Sequence, residues 1–162
     1  MLLGKWIDFC AGALVGAMLF MAAAPAAADP LPAGFLGKFR GSLASSVGEI
    51  EGDFNMVSSA KRGGFSMTWS PDKSAEFQPS ENRNVFKAPD SGRLVDGAPA
   101  FWSRLEDGKL IVYSMRIDVH GGYDIYTFIY TPAEGGLDMI IRHLRSGSGP
   151  MESTARLKRY DG

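Results

Sequence analysis

What most constrains this chain is a two-residue alternation of apolar and polar side chains, interrupted at short intervals by glycine. Phe39-x-Gly41-x-Leu43, Phe54-x-Met56, Phe65-x-Met67-x-Trp69 and Tyr123-x-Ile125-x-Thr127-x-Ile129 all follow it. Successive side chains of an extended strand point to opposite faces, so this period marks half-buried strands. Between them stand turn signals: Lys61-Arg62-Gly63-Gly64, Asp107-Gly108, Gly121-Gly122, Glu134-Gly135-Gly136 and Ser146-Gly147-Ser148-Gly149. No helical stripe competes with this pattern. Regular short strands separated by glycine turns predict an all-β domain, an antiparallel sandwich or barrel.

The first residues read differently. Lys5 precedes an apolar run from Cys10 to Met21, and Ala26-Ala27-Ala28 then meets Asp29-Pro30. A basic start, an apolar middle and a small-residue exit are what signal peptidase recognises. Asp8 is the one departure. Cys10 to Ala28 is 19 residues without charge, the lower limit for an uncleaved membrane anchor. Pro25, the weakly apolar alanines and the A-x-A pattern favour cleavage instead. The expected organisation is a signal peptide over 1–28, a tether over 29–36 and a single domain over 37–162, located in the periplasm or secreted.

Cleavage would remove Cys10, the only cysteine, and leave a disulfide-free domain in a compartment that permits disulfides. Its stability must then come from a packed core, which residues 29–162 are numerous enough to build. Of 17 Lys and Arg and 18 Asp and Glu, only Lys5 and Asp8 fall in the leader, which leaves 16 against 17. The charges are mixed along the chain, so neither a nucleic-acid surface nor an anionic-membrane patch is indicated. No stretch after the leader is long and apolar enough for a membrane helix, and the strands lack a consistently apolar lipid face.

Turn lengths predict a register for the C-terminal half. Gly121-Gly122 as a two-residue turn sets Ile117 opposite Tyr126, Met115 opposite Phe128 and Tyr113 opposite Tyr130. A loop over Pro132 to Gly135 sets Tyr130 opposite Leu137, and a loop over 146–150 adds Met151, Ser153, Ala155 and Leu157 to the same face. Arg116, Asp118, Thr127, Asp138 and Arg142 fall on the other. Asp107-Gly108 as a turn sets Trp102 opposite Tyr113 and Arg104 opposite Ile111. Trp102 and Arg104 then join the aromatic face, where a buried arginine is costly without a partner or ligand. This face either packs on a second sheet or lines the inside of a curved one. The segment from Pro71 to Pro99 carries four prolines and predicts short edge strands or a long loop.

Phe35-Leu36-Gly37-Lys38-Phe39-Arg40-Gly41 resembles the start of calycin-type barrels, the lipocalins and fatty-acid-binding proteins, whose first strand begins Gly-x-Trp. The chain also resembles small exported barrels of Gram-negative bacteria without assigned activity. The resemblance implies an up-and-down barrel of about eight strands. It also implies that Phe39 plugs the closed end in place of the tryptophan. Arg156, Lys158 or Arg159 of the last strand would pack over it.

The leading functional expectation is a barrel that holds a small apolar or amphipathic ligand. Trp69, Trp102, Tyr113, Tyr126 and Phe128 would be walls, and Arg104 and His143 orienting groups; the competing reading is an ordinary filled core. A second class is an envelope protein-interaction module, an inhibitor or assembly accessory, which uses the 71–99 loop and the 146–149 turn. The turn resembles the Ser-Gly loop of some periplasmic lysozyme inhibitors. An enzyme is the third reading. His120 belongs to a turn tip. His143 falls near Asp124, within reach of a hydrogen bond. No residue is assigned a catalytic role, and no cofactor is implied. No His-x-His or cysteine pair suggests a metal, and Glu49, Glu51 and Asp53 read as a solvated strand face.

Overall fold

The computed structural model describes residues 31–45, 52–61, 63–89 and 92–161. The expected leader lies outside the described residues. Ten strands follow in chain order: β1 (Gly37–Ser45), β2 (Gly52–Lys61), β3 (Gly64–Ser70), β4 (Lys73–Pro79), β5 (Val85–Lys87), β6 (Ala100–Glu106), β7 (Lys109–Ile117), β8 (Tyr123–Ala133), β9 (Gly136–Arg145) and β10 (Met151–Arg159). Each pairs with its sequence neighbour, and β1 pairs with β10, so the sheet closes into an antiparallel up-and-down barrel. No described helix is long and apolar enough to cross a membrane.

There are ten strands rather than about eight because β4 and β5 come from the proline-rich segment. Its prolines occupy positions that spare the ladder. Pro71 is in the turn before β4, Pro79 ends β4, Pro89 follows β5 and Pro99 precedes β6. Between them Ala75, Phe77 and Phe86 alternate inward and are buried, which supplies a core face that the short apolar pieces disguise in the sequence.

The interior is packed through most of its depth. Phe39, Met56, Phe65, Phe77, Phe86, Leu110, Tyr130, Leu137 and Leu157 are all within 1% of complete burial. Each large apolar side chain so buried contributes about 1.5–3 kcal/mol. Phe65 stacks on Phe77 at 4.7 Å and meets the edge of Phe86 at 5.2 Å.

One end is plugged. Residues 33–35 form a 3-10 turn, and Leu31 and Phe35 are buried, so the part of the expected tether that is described is packed against the barrel. The Ser58 hydroxyl donates to the Phe35 carbonyl oxygen. Arg159 lies 4.8 Å over the Phe39 ring and donates to the carbonyl oxygens of Leu36 and Gly34. Of the three basic residues expected to cover Phe39, Arg159 is the one that does. Arg156 points outward and pairs with Asp138 at 2.7 Å.

The expected registers divide by parity. Asp107-Gly108 forms the two-residue turn, both residues at positive φ, and Trp102 pairs with Tyr113 and Arg104 with Ile111 as expected. Between β7 and β8 the expected register is corrected by three residues: Ile117 pairs with Tyr123, Tyr113 with Thr127 and Leu110 with Tyr130. The connection is not the Gly121-Gly122 pair but a longer loop organised by Asp118. Its N–H donates to the Gly122 carbonyl oxygen at 2.8 Å, and its carboxylate accepts from the N–H groups of His120 at 2.8 Å and Gly122 at 2.9 Å. Those two bonds hold the Asp118 carboxyl below its ordinary ionisation range.

An odd shift exchanges the faces of a strand. Tyr113, Met115 and Ile117, with Trp102 and Arg104 paired beside them, therefore face outward, while Ser114 and Arg116 face inward. From β8 to β10 the corrections are of two residues, Tyr130 opposite Met139 and Met151 opposite His143, and the faces survive. Outside, the pairing builds two aliphatic rows across β7, β8 and β9: Ile111–Ile129–Ile140 and Met115–Ile125–Leu144.

Candidate functional site

Opposite the plug the barrel is open, and a cavity of about 590 Å³ lies there. Phe54, Trp69, Phe101, Tyr126 and Phe128 wall it, Gly97 and Pro99 border it, and Ser70, Lys73, Ser114, Arg116 and Asp124 supply polar groups. A smaller cavity of about 190 Å³, lined by Leu43, Ile141, His143, Met151 and Ser153, shares Tyr126 and Phe128 with it. These two rings thus stand as a partition between the cavities.

The walls follow from alternation along β8. Tyr126, Phe128 and Tyr130 point the same way, their rings 6.1 and 6.5 Å apart. Trp69, inward on β3, stacks against Phe101 at 5.6 Å and Phe128 at 6.0 Å. At the floor the Trp69 indole N–H donates to the Tyr130 hydroxyl at 3.1 Å. Burial pushes the Tyr130 phenol far above its ordinary range, against the opposing pull of the Trp69 bond, so it stays neutral and marks the end of the apolar chamber.

The polar cluster is centred on Asp124. Arg116 and Arg145 are its register partners on β7 and β9. They approach its carboxylate at 3.1 and 3.3 Å, and His143 Nε2 lies 3.0 Å from Oδ1. The bonds from His143 and Arg116, with the nearby Arg145 charge, hold the Asp124 carboxyl below its ordinary range. The His143 ring stacks on Tyr126 at 4.1 Å, 5° from parallel. Lys73, also at the mouth, is next to Asp72, whose carboxylate accepts from the Ser70 hydroxyl at 2.6 Å. That bond, with the Lys73 charge, holds the Asp72 carboxyl below its ordinary range. The charged groups around the mouth are therefore Lys73, Arg116 and Arg145 with Asp72 and Asp124.

The residues expected from the sequence divide between the two surfaces. Trp69, Tyr126 and Phe128 line the larger cavity, and Tyr126, Phe128 and His143 the smaller. The expected approach of His143 to Asp124 is present as a hydrogen bond. Trp102, Arg104 and Tyr113 are on the outer wall instead. There Trp102 stacks on Tyr113 at 5.1 Å, and Arg104 pairs with Glu106 at 2.8 Å and lies 5.9 Å over the Tyr113 ring. The supposed buried arginine is a solvated surface pair.

Phe54, Phe101, Lys73 and Arg116 are wall or rim residues that the sequence did not single out. Phe101 and Arg116 change places with Trp102 and Met115 once the β7–β8 register is known. Within the 71–99 segment, β4 and β5 join the barrel wall, and the described residues between and after them form turns, a 3-10 turn and irregular connections. The 146–149 turn is exposed, and its Ser146 hydroxyl accepts the Tyr123 N–H at 2.7 Å. Glu49 and Glu51 lie outside the described residues, and no group of three His, Cys, Asp or Glu among the described residues is placed to hold a metal. Neither a family model, nor a curated protein, nor a solved structure matches this chain.

Proposed function

We propose that this protein is an exported, non-enzymatic barrel that holds one small amphipathic molecule in its open end. The observation that carries the reading is the 590 Å³ aromatic cavity with one polar cluster at its rim. Its volume is within the range of small-molecule sites, which combine apolar walls with a few orienting polar groups. The apolar part of the ligand lies against Trp69, Phe101 and Phe128, and its polar end meets Arg116 and Lys73. Asp124 is committed to Arg116, Arg145 and His143, so it fixes the rim instead of acting as a free base. Export rests on the leader pattern of residues 1–28.

Titration with a fluorescent single-chain lipid whose emission rises in apolar surroundings tests the reading. Saturable enhancement at one probe per chain is expected, weakened about tenfold by Phe128→Ala, since loss of one buried aromatic anchor costs on the order of 1–2 kcal/mol of binding. A barrel that takes up no probe at any concentration sinks the proposal.

A further inference from the structure

The two cavities of the open end differ in what they can hold. The smaller, at about 190 Å³, falls below the roughly 300–1,000 Å³ of a complete small-molecule site. It takes part of a ligand and not a whole one. Leu43, Ile141 and Met151 face it together with Tyr126 and Phe128. Of its polar groups, His143 Nε2 is already held by Asp124 at 3.0 Å. A chamber walled in this way gives an ordered water few partners and suits an apolar group.

Both chambers open at the same end of the barrel. Leu43 and His143 are near the ends of β1 and β9, and Tyr126 and Met151 near the starts of β8 and β10. Around the larger chamber, Trp69 and Arg116 are near the ends of β3 and β7, and Phe54 and Phe101 near the starts of β2 and β6. In an up-and-down barrel these positions all fall at one end. Met151 is 38% and Tyr126 36% exposed, so the smaller chamber meets solvent there. Between the chambers Tyr126 and Phe128 form a ridge that is braced from both sides. The His143 ring lies 4.1 Å from Tyr126, and the Trp69 ring 6.0 Å from Phe128. Displacing either ridge residue breaks a stack, so the chambers stay separate.

We propose that the ligand is forked, an amphiphile with two apolar branches of unequal length. This rests on the amphiphile binding proposed for the open end and names the class of molecule that fits it. The longer branch enters the larger chamber, and the shorter crosses the Tyr126–Phe128 ridge into the smaller. The polar head stays above them, at Arg116 and Lys73. An unbranched chain of equal carbon number enters only one chamber from the shared mouth and leaves the other without apolar contact.

Displacement of the bound fluorescent single-chain lipid by two isomeric acids, each below its aggregation concentration, tests this. One is hexadecanoic acid, and the other is its isomer with a hexyl branch beside the carboxyl, so head group and carbon number are equal. The branched isomer is expected to have a dissociation constant at least about fivefold lower. Ser153→Leu places a larger apolar side chain in the smaller chamber. It should abolish that preference and leave hexadecanoic acid binding unchanged. Far-UV circular dichroism checks the fold, and if Ser153→Leu does not fold, Met151→Trp at the exposed entrance takes its place. A probe displaced by neither acid, no preference for the branched isomer, or a preference that survives the filled chamber overturns the fork while the binding reading stands. A chain that takes up no probe overturns the binding reading itself, and the fork with it.

Discussion

Phe39 shows how much rests on one position. Its ring is completely buried and lies beneath Arg159. Phe39→Ala is expected to cost about 3–5 kcal/mol in chemical denaturation, the range for emptying an aromatic site in a packed core. Gly37, two residues earlier, is at φ 137°, and a Cβ there would come 2.5 Å from Arg159 Nη1. Gly37→Ala is therefore strained and displaces the guanidinium that covers the plug, and its cost should shrink in an Arg159→Gln background. Equal costs in the two backgrounds would show that the two are not coupled. Ser103 gives the opposite sign. Its hydroxyl is buried without a hydrogen-bond partner among the described residues, so Ser103→Ala is expected to raise stability by about 1 kcal/mol. Phe39 as plug was implied by the resemblance to calycin-type barrels, which left Arg156, Lys158 and Arg159 as candidate covers; the structure singles out Arg159. The unpartnered hydroxyl of Ser103 was not legible in the sequence, since satisfaction depends on what surrounds it.

Between strands, the β7–β8 connection decides which side chains the cavity receives. Asp118 gathers the N–H groups of His120 and Gly122, which lengthens the turn and reverses the faces expected of β7. Trp69 and Trp102 separate the consequences. Trp69→Phe removes the indole bond to Tyr130 and should weaken lipid-probe binding severalfold, whereas Trp102→Ala should leave it unchanged. The reverse result would restore the face first inferred from the Gly-Gly turn. Asp124 joins β7, β8 and β9, and its carboxyl ionises below its ordinary value of 3.8 in the folded chain. A depressed carboxyl stabilises the fold at pH above the unfolded value, and that contribution disappears as pH falls through the folded value. Asp124→Asn should therefore melt below the wild type at neutral pH, and the two melting temperatures should converge as pH drops beneath about 4. A gap that stays constant down to the acid limit would remove the carboxylate from the account.

At the scale of the molecule, closure through β1 and β10 joins the first strand to the last and leaves no edge. Gly41 lies at that seam, where any Cβ would collide with the Arg156 carbonyl oxygen. A barrel closed in this way is expected to unfold in one transition, with tryptophan emission and far-UV circular dichroism coincident. Separated transitions would mean that the β4–β5 region opens independently. The all-β class, the Asp107-Gly108 hairpin and the inward faces of β3 and β8–β10 were determined by the sequence alone. They rest on period-two patterning and turn chemistry, which act over neighbouring residues. The strand count and the facing of β7 were settled only by the tertiary structure. A three-residue strand such as β5 has too few residues to show a period, and an odd register shift leaves the pattern along each strand unchanged while it moves Trp102, Arg104 and Tyr113 from the inside of the barrel to its outer wall.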